Sequence, residues 1–275
     1  MSVIISIQSQ VIYGHVGNSA AVFPMQACGH QVIAVPTTLL SNHPHYPTLH
    51  GAVLDPDLVA GLLIGVEERG VIERATHIIT GYLGSVQNAH VVADFIKRAK
   101  TRNPALRFVC DPVMGDDDLG IFVDKGLPDE FRTELLPWAD CITPNQFELE
   151  LLCGCKARSA RAIADIVADL NAQRPLDVVT TGCVLDDSRP GHVETVAAGP
   201  HGFSRHAVLR LPIRPCGTGD LFTALLVSRL ANGAALEAAT GWATDTIHAV
   251  LRRTHDADSK EMQMTGFLFA DPDKG

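Results

Sequence analysis

The sequence predicts an α/β fold: a doubly wound, mostly parallel sheet with helices on both faces and a small edge-strand lid. Three observations carry that expectation. Short β-branched apolar runs alternate with amphipathic stretches of helical period. Residues suited to ligand chemistry collect in the connections that follow the apolar runs. Past Thr181 the rhythm changes to a pair of strands and two long Ala-rich helices.

The expected parallel strands are residues 3–8, 31–35, 77–80, 107–111, 141–143 and 177–181. A helix over 19–28 is closed by Gly29, and one over 56–69 is opened by Asp55 with Pro56 at its first position and closed by Gly70. Further helices are expected over 85–102, 127–136, 146–152 and 159–173. Residues 192–198 and 203–210 read as antiparallel edge strands, and the helices 220–232 and 235–253 complete the pattern. The tail past Arg253 is mostly polar except for 266–269. With no internal repeat or long linker, residues 1–275 are expected to form a single domain.

Composition narrows the function. Hydrophobic residues make up 46% and charged residues 19%, which suits a packed core rather than a disordered chain. With 22 basic against 31 acidic residues the net charge is −9, a poor match to nucleic acid or an anionic membrane. No apolar stretch approaches the roughly 18 to 20 residues of a bilayer span. The start, MSVIISIQSQ, has no basic leader region and reads as a strand. Seven cysteines sit mostly in apolar runs, as reduced thiols of a cytoplasmic protein would.

Ligands of open α/β sheets lie beyond the carboxyl ends of the strands. The loops expected there are 9–18, 36–51, 81–84, 112–126, 144–148 and 217–220. The sharpest motif is Gly217-Thr218-Gly219-Asp220 ahead of an apolar helix. Two glycines permit close backbone approach, and the amides of Gly217, Thr218 and Gly219 can form an anion hole at the helix N-terminus. Asp220 can take a proton from an attacking alcohol there, or it can be a simple N-cap. Asn145 and Glu148 can share a face at a strand-to-helix junction as Mg²⁺ donors, or cap that helix. Asp111 ends a strand where no helix begins, so it is a ligand or a turn residue. His43, His45 and His50 could suggest a metal, but prolines interrupt them and no cysteine accompanies them, so a substrate lid with one working histidine is the preferred reading.

These segments resemble a known family. SIQSQVIYGHVGN (6–18), TTLLSNHPHY (37–46), GYLGS (81–85), CDPVMGD (110–116), TPNQFELELL (143–152) and GTGDLF (217–222) are similar, in order and spacing, to the pyridoxal kinases of the ribokinase-like superfamily. The likeness is greater to the branch acting on pyridoxine, pyridoxal and pyridoxamine. It implies ATP-dependent phosphorylation of the vitamer's 5′-hydroxymethyl group, with Mg²⁺, in a homodimer. Carried over to this chain, it makes Asp220 the general base and a substrate contact. Ser9, His45 and Tyr82 would hold the pyridine ring. Asp111, Thr143, Glu148, Thr181 and Thr218 would line the nucleotide site, with Val208, Leu209, Arg210 and Leu211 beside the adenosine. Glu148 would help hold the metal.

Two positions depart from the family. Phe122 stands where relatives often carry Tyr, leaving only a backbone carbonyl for metal or phosphate. Arg214 stands where relatives often carry an acid, which counts against the monovalent-cation dependence known in the superfamily. The rival readings are a kinase of the same fold for a hydroxymethylpyrimidine or a sugar, and a non-catalytic vitamer-binding protein. A sugar kinase should show more Asn, Asp and Gly at its early strand ends than Ser9, Val11, Val16 and Tyr82 provide. The intact Gly217–Asp220 motif argues against a retired enzyme.

Overall fold

A computed structural model describes residues 1–269; residues 270–275 of the expected domain lie outside the described part. Nine strands form one sheet in the order β11-β10-β9-β8-β5-β4-β1-β2-β3. In chain order the strands are β1 (Val3–Val11), β2 (Gln31–Leu40), β3 (Gly51–Val53), β4 (Ala75–Thr80), β5 (Arg107–Cys110), β6 (Gly115–Asp116), β7 (Gly120–Ile121), β8 (Cys141–Ile142), β9 (Asp177–Cys183), β10 (His192–Gly199) and β11 (Gly202–Leu209). The helices are α1 (Asn18–Ala27), α2 (Pro56–Glu68), α3 (Val86–Arg102), α4 (Leu127–Glu130), α5 (Gln146–Cys153), α6 (Ala160–Asn171), α7 (Thr218–Ala231) and α8 (Leu236–Asp256). Neighbouring strands from β2 through β9 run parallel, while β3, β10 and β11 pair antiparallel at the two edges.

Two apolar cores account for the double winding. One lies between the sheet and α2, α3, α5 and α6 and includes Leu63, Phe95 and Ile163. The other lies between the opposite face and α1, α7 and α8 and includes Met25, Leu225 and Val250. Alternate residues of β1 feed the two cores, Ile5 and Ile7 into the first and Ile4 into the second. Since successive crossovers change face at β1, the strand ends beside it form the crevice where ligands collect. The tail takes part in this packing: Met262, Met264 and Phe269 are buried in the second core.

Several expected boundaries are corrected. Residues 9–11 and 36–40 extend β1 and β2 rather than forming loops, and the ladder shifts register between Gln8 and Gln10. Such an irregularity re-aims side chains at the strand end. The helix expected over 127–136 is only α4 followed by a wide turn over Phe131–Leu135 and a tight one over Leu136–Trp138. The β3 strand and the β6–β7 hairpin were not anticipated; the hairpin's strands have two residues each, too short for a period to register.

His77 on β4 is buried with Nε2 unpartnered, and desolvation followed by the charges of Arg107 and His30 pushes it down to about 4 from 6.5. The native state resists a proton that the unfolded chain accepts. This group's stabilisation is therefore complete above pH 6.5 and lost as pH falls through about 4. Denaturant unfolding across that window should show a loss of up to about 3 kcal/mol. His77→Gln should flatten that limb, and a limb unchanged by the substitution would remove His77 as its cause.

Candidate active site

The strand ends around β1, β4, β5, β8 and β9 bring most of the expected residues to one rim. Ser9 is buried near the end of β1. Tyr82 follows β4 and accepts the Thr37 hydroxyl on its carbonyl at 2.7 Å. Asp111 directly follows β5, and its amide donates to Thr80 at 3.1 Å. Thr143 follows β8, and Thr181 lies on β9 with its amide donating to the Pro144 carbonyl at 2.9 Å.

Opposite these ends stands the N-terminus of α7. Gly217 is its N-cap at φ 83°, so Asp220 is the third helical residue and not the cap. The simple N-cap reading of Asp220 is thereby corrected. Both glycine turns are forced by close approach. A Cβ on Gly217 would collide with the His15 carbonyl, and one on Gly17, at φ 54°, would collide with the Ser9 carbonyl. The 14–17 turn thus packs directly on the start of α7. The Asp220 carboxyl lies beside the Gly17 amide, and its pKa is raised because protein atoms crowd it and strip its hydration.

Asp111 is buried, with one carboxylate oxygen accepting the Thr223 hydroxyl at 3.2 Å. The Thr223 and Thr143 hydroxyls are 2.9 Å apart, joining α7 to the end of β8. Desolvation, then the charges of Glu148 and Asp220, hold Asp111 well above the usual carboxylate range. Glu148 is also buried and is raised to about 7 by desolvation, against the pull of three backbone amides. Those amides occupy both oxygens: Oε1 accepts from Met114 at 2.8 Å and from Gly115 at 3.4 Å, and Oε2 from Asn145 at 2.9 Å. With the Asn145 side chain accepting from the Glu148 amide at 2.9 Å, the pair forms a capping box on α5. Glu148 therefore caps its helix, whatever further role it has.

The outer wall is made by loops. The β6–β7 hairpin is tied to α5 through Arg158, which bridges Asp117 and Glu150. Phe122, just past β7, is half exposed and donates its amide to the Met114 carbonyl at 3.1 Å. Arg214 pairs with Asp118 of the hairpin turn. Val208 and Leu209 end the edge strand β11, with Arg210 and Leu211 immediately beyond, and the Arg210 amide donates to Gly191 at 2.8 Å.

Across the rim the 41–50 loop is held down, where its composition suggests mobility. Glu261 Oε1 accepts from His43 Nε2 at 2.8 Å and from the Tyr46 hydroxyl at 2.7 Å, and Oε2 accepts the His15 amide at 3.3 Å. His45 Nδ1 lies 3.1 Å from Cys216 Sγ. Burial pushes the Cys216 thiol up to about 11, so it carries its proton at neutral pH. Sequence reading missed Glu261 altogether, because its partners lie more than two hundred residues earlier in the chain.

A carboxylate in the first turn of α7, close to the buried carboxylates at the strand ends of an α/β sheet, is an arrangement that suits a small-molecule kinase. The family model for phosphomethylpyrimidine kinase matches residues 69–265. A pyridoxine/pyridoxal/pyridoxamine kinase from Bordetella avium is 41% identical over 95% of this chain and 88% of its own. A pyridoxal kinase from Rubrobacter xylanophilus is 40% identical over 95% and 90%. The pyridoxal kinase from Leishmania donovani in complex with ADP and pyridoxamine superposes with a TM-score of 0.87 at 28% identity, covering 97% of this chain and 94% of that one. The chain belongs to the pyridoxal kinase family.

Proposed function

We propose that the protein transfers the γ-phosphoryl group of ATP to the 5′-hydroxymethyl group of pyridoxal, and of pyridoxine and pyridoxamine, in B6 vitamer salvage. The observation that carries this reading is Asp220, a carboxylate of raised pKa in the first turn of α7 behind the Gly217–Gly219 amides. A carboxylate whose pKa is shifted towards neutrality is a stronger base for an alcohol, and the helix start offers its amides to the charge that develops on the phosphoryl oxygens.

In this reading ATP lies along Asp111, Thr143, Glu148, Thr181 and Thr218, with Val208, Leu209, Arg210 and Leu211 beside the adenosine. The vitamer lies under Ser9, His45 and Tyr82. The donor set near Asp111 suits Mg²⁺: two buried carboxylates, each raised in pKa, are hard oxygen donors whose mutual repulsion a divalent cation would relieve. Bound with the phosphates, Mg²⁺ would neutralise charge on the transferring group. Asp111 would hold it, with Glu148 acting through its remaining lone pairs and the Phe122 carbonyl as a further donor. Asp220 takes the proton of the 5′-hydroxyl, and the closed loops exclude water from the transferring phosphoryl group.

Arg214 pairs with Asp118 beside the nucleotide loops, which counts against a monovalent-cation requirement while a monovalent cation stays a candidate further cofactor. A homodimer fits the exposed Leu58 and Leu62 on one face of α2. A cytoplasmic setting fits Cys110, Cys141 and Cys183, thiols buried in the core without a disulfide. No described helix is long and apolar enough to cross a membrane.

The test is ADP release from MgATP with each vitamer, a hydroxymethylpyrimidine and ribose in parallel. Turnover with the vitamers should exceed that with the other acceptors by at least about tenfold in kcat/KM, the smallest discrimination a shaped pocket usually gives. A preference for the hydroxymethylpyrimidine would move the protein to the other substrate class that its family model covers.

A further inference from the structure

The histidines of the 41–50 loop do find a cysteine, from far along the chain. His43, His45 and Cys216 each offer one ligand atom, all within 4.8 Å of one another, the sole group of this kind among the described residues. His43 is buried, and its Nε2 faces the Glu261 carboxylate at 2.8 Å. A carboxylate accepts, so the ring proton sits on Nε2 and the lone pair on Nδ1. That Nδ1 is buried and has no hydrogen-bond partner. Carboxylate, histidine and a free ring nitrogen make the arrangement that orients a metal-ligating imidazole.

We propose that His43, His45 and Cys216 form a binding site for a borderline divalent cation such as Zn²⁺, which clamps the 41–50 loop onto the turn that begins α7. Two imidazoles and a thiolate are the donors Zn²⁺ selects over Mg²⁺. Tetrahedral coordination brings N and S ligands to within about 3.5 Å of one another, so binding draws the loop inward by about 1 Å. His45 is exposed and Cys216 half-buried, which leaves an entry route and a fourth position open to water. The bond to sulfur forms as the thiol proton leaves to solvent, with no change of oxidation state.

The clamp has a consequence that rests on the vitamer site proposed above. His45 bound to metal is withdrawn from the pyridine ring, and the loop is closed before the vitamer enters. Zinc should then inhibit competitively against pyridoxal and not against MgATP.

Co²⁺ added to the chelator-treated, metal-free protein should bind one equivalent with a thiolate-to-cobalt charge-transfer band and the intense visible bands of tetrahedral cobalt. Cys216→Ser should abolish the charge-transfer band. Glu261→Gln, which leaves all three ligands in place, should weaken Co²⁺ binding by about tenfold to a hundredfold. Thermal melts of each metal-free variant establish that it is folded. A wild-type spectrum without the thiolate band, or a band retained in Cys216→Ser, overturns the site. A cobalt band with no zinc inhibition overturns the clamp and keeps the site. A cobalt band in a protein that phosphorylates no vitamer keeps the site and refutes the proposed function instead.

Discussion

Asp220→Asn should lower kcat for pyridoxal phosphorylation by about 10²- to 10⁴-fold, the usual worth of a positioned base. In barrier terms this is about 3 to 5 kcal/mol. The substitution is nearly isosteric and keeps an oxygen beside the Gly17 amide. The turn packed against Gly217 should therefore hold its shape, and the melting temperature should stay within a few degrees of the parent. Nucleotide affinity should also persist, because Gly217, Thr218 and Gly219 offer backbone amides that the change does not touch. Rapid-quench turnover, with ADP binding measured in parallel, separates these effects. Near-parental turnover would remove Asp220 as base. A collapse of ADP affinity would make it a structural support of the anion hole.

How much of this site was legible beforehand depends on how local each signal is. The parallel strands announce themselves because burial on both faces demands continuous β-branched runs such as Val3, Ile4 and Ile5. The start of α7 announces itself because glycines at a helix entry have few uses, and the positive φ of Gly217 confirms the need for one. The Asn145–Glu148 spacing also carried a true signal, but spacing alone cannot separate a metal pair from a capping box. The reciprocal hydrogen bonds between Asn145 and Glu148 establish the capping box. Glu261 was invisible for the opposite reason: it lies in a polar tail, and only the fold brings it to His43 and Tyr46. The same long-range closure hid Cys216 from the histidines, so the objection that no cysteine accompanied them fails in three dimensions. The broken helix after α4 shows packing overriding period: Phe131 and Leu135 are both buried, and the backbone widens its turn between them.

Asp111→Asn should move stability and activity in opposite directions. The folded-state pKa of Asp111 is raised, first by desolvation and then by Glu148 and Asp220. A raised carboxyl stabilises the fold only below its unfolded value near 3.8, and that benefit is lost as pH rises through the folded value. Above its unfolded value the group is a net cost to the ligand-free protein. Asparagine removes the charge yet keeps an oxygen to accept the Thr223 hydroxyl. The variant should therefore unfold at higher denaturant at pH 8, with the gain shrinking towards pH 4. The same change removes a hard oxygen donor from the proposed MgATP site, so kcat/KM for MgATP should fall on the order of 10²-fold. The melting shift produced by MgADP should shrink with it. A gain in stability with undiminished activity would place Asp111 outside the nucleotide site. A loss of both would make it a structural anchor for Thr143 and Thr223. Opposite movement is the mark of a carboxylate kept at the end of β5 for function at the expense of the fold.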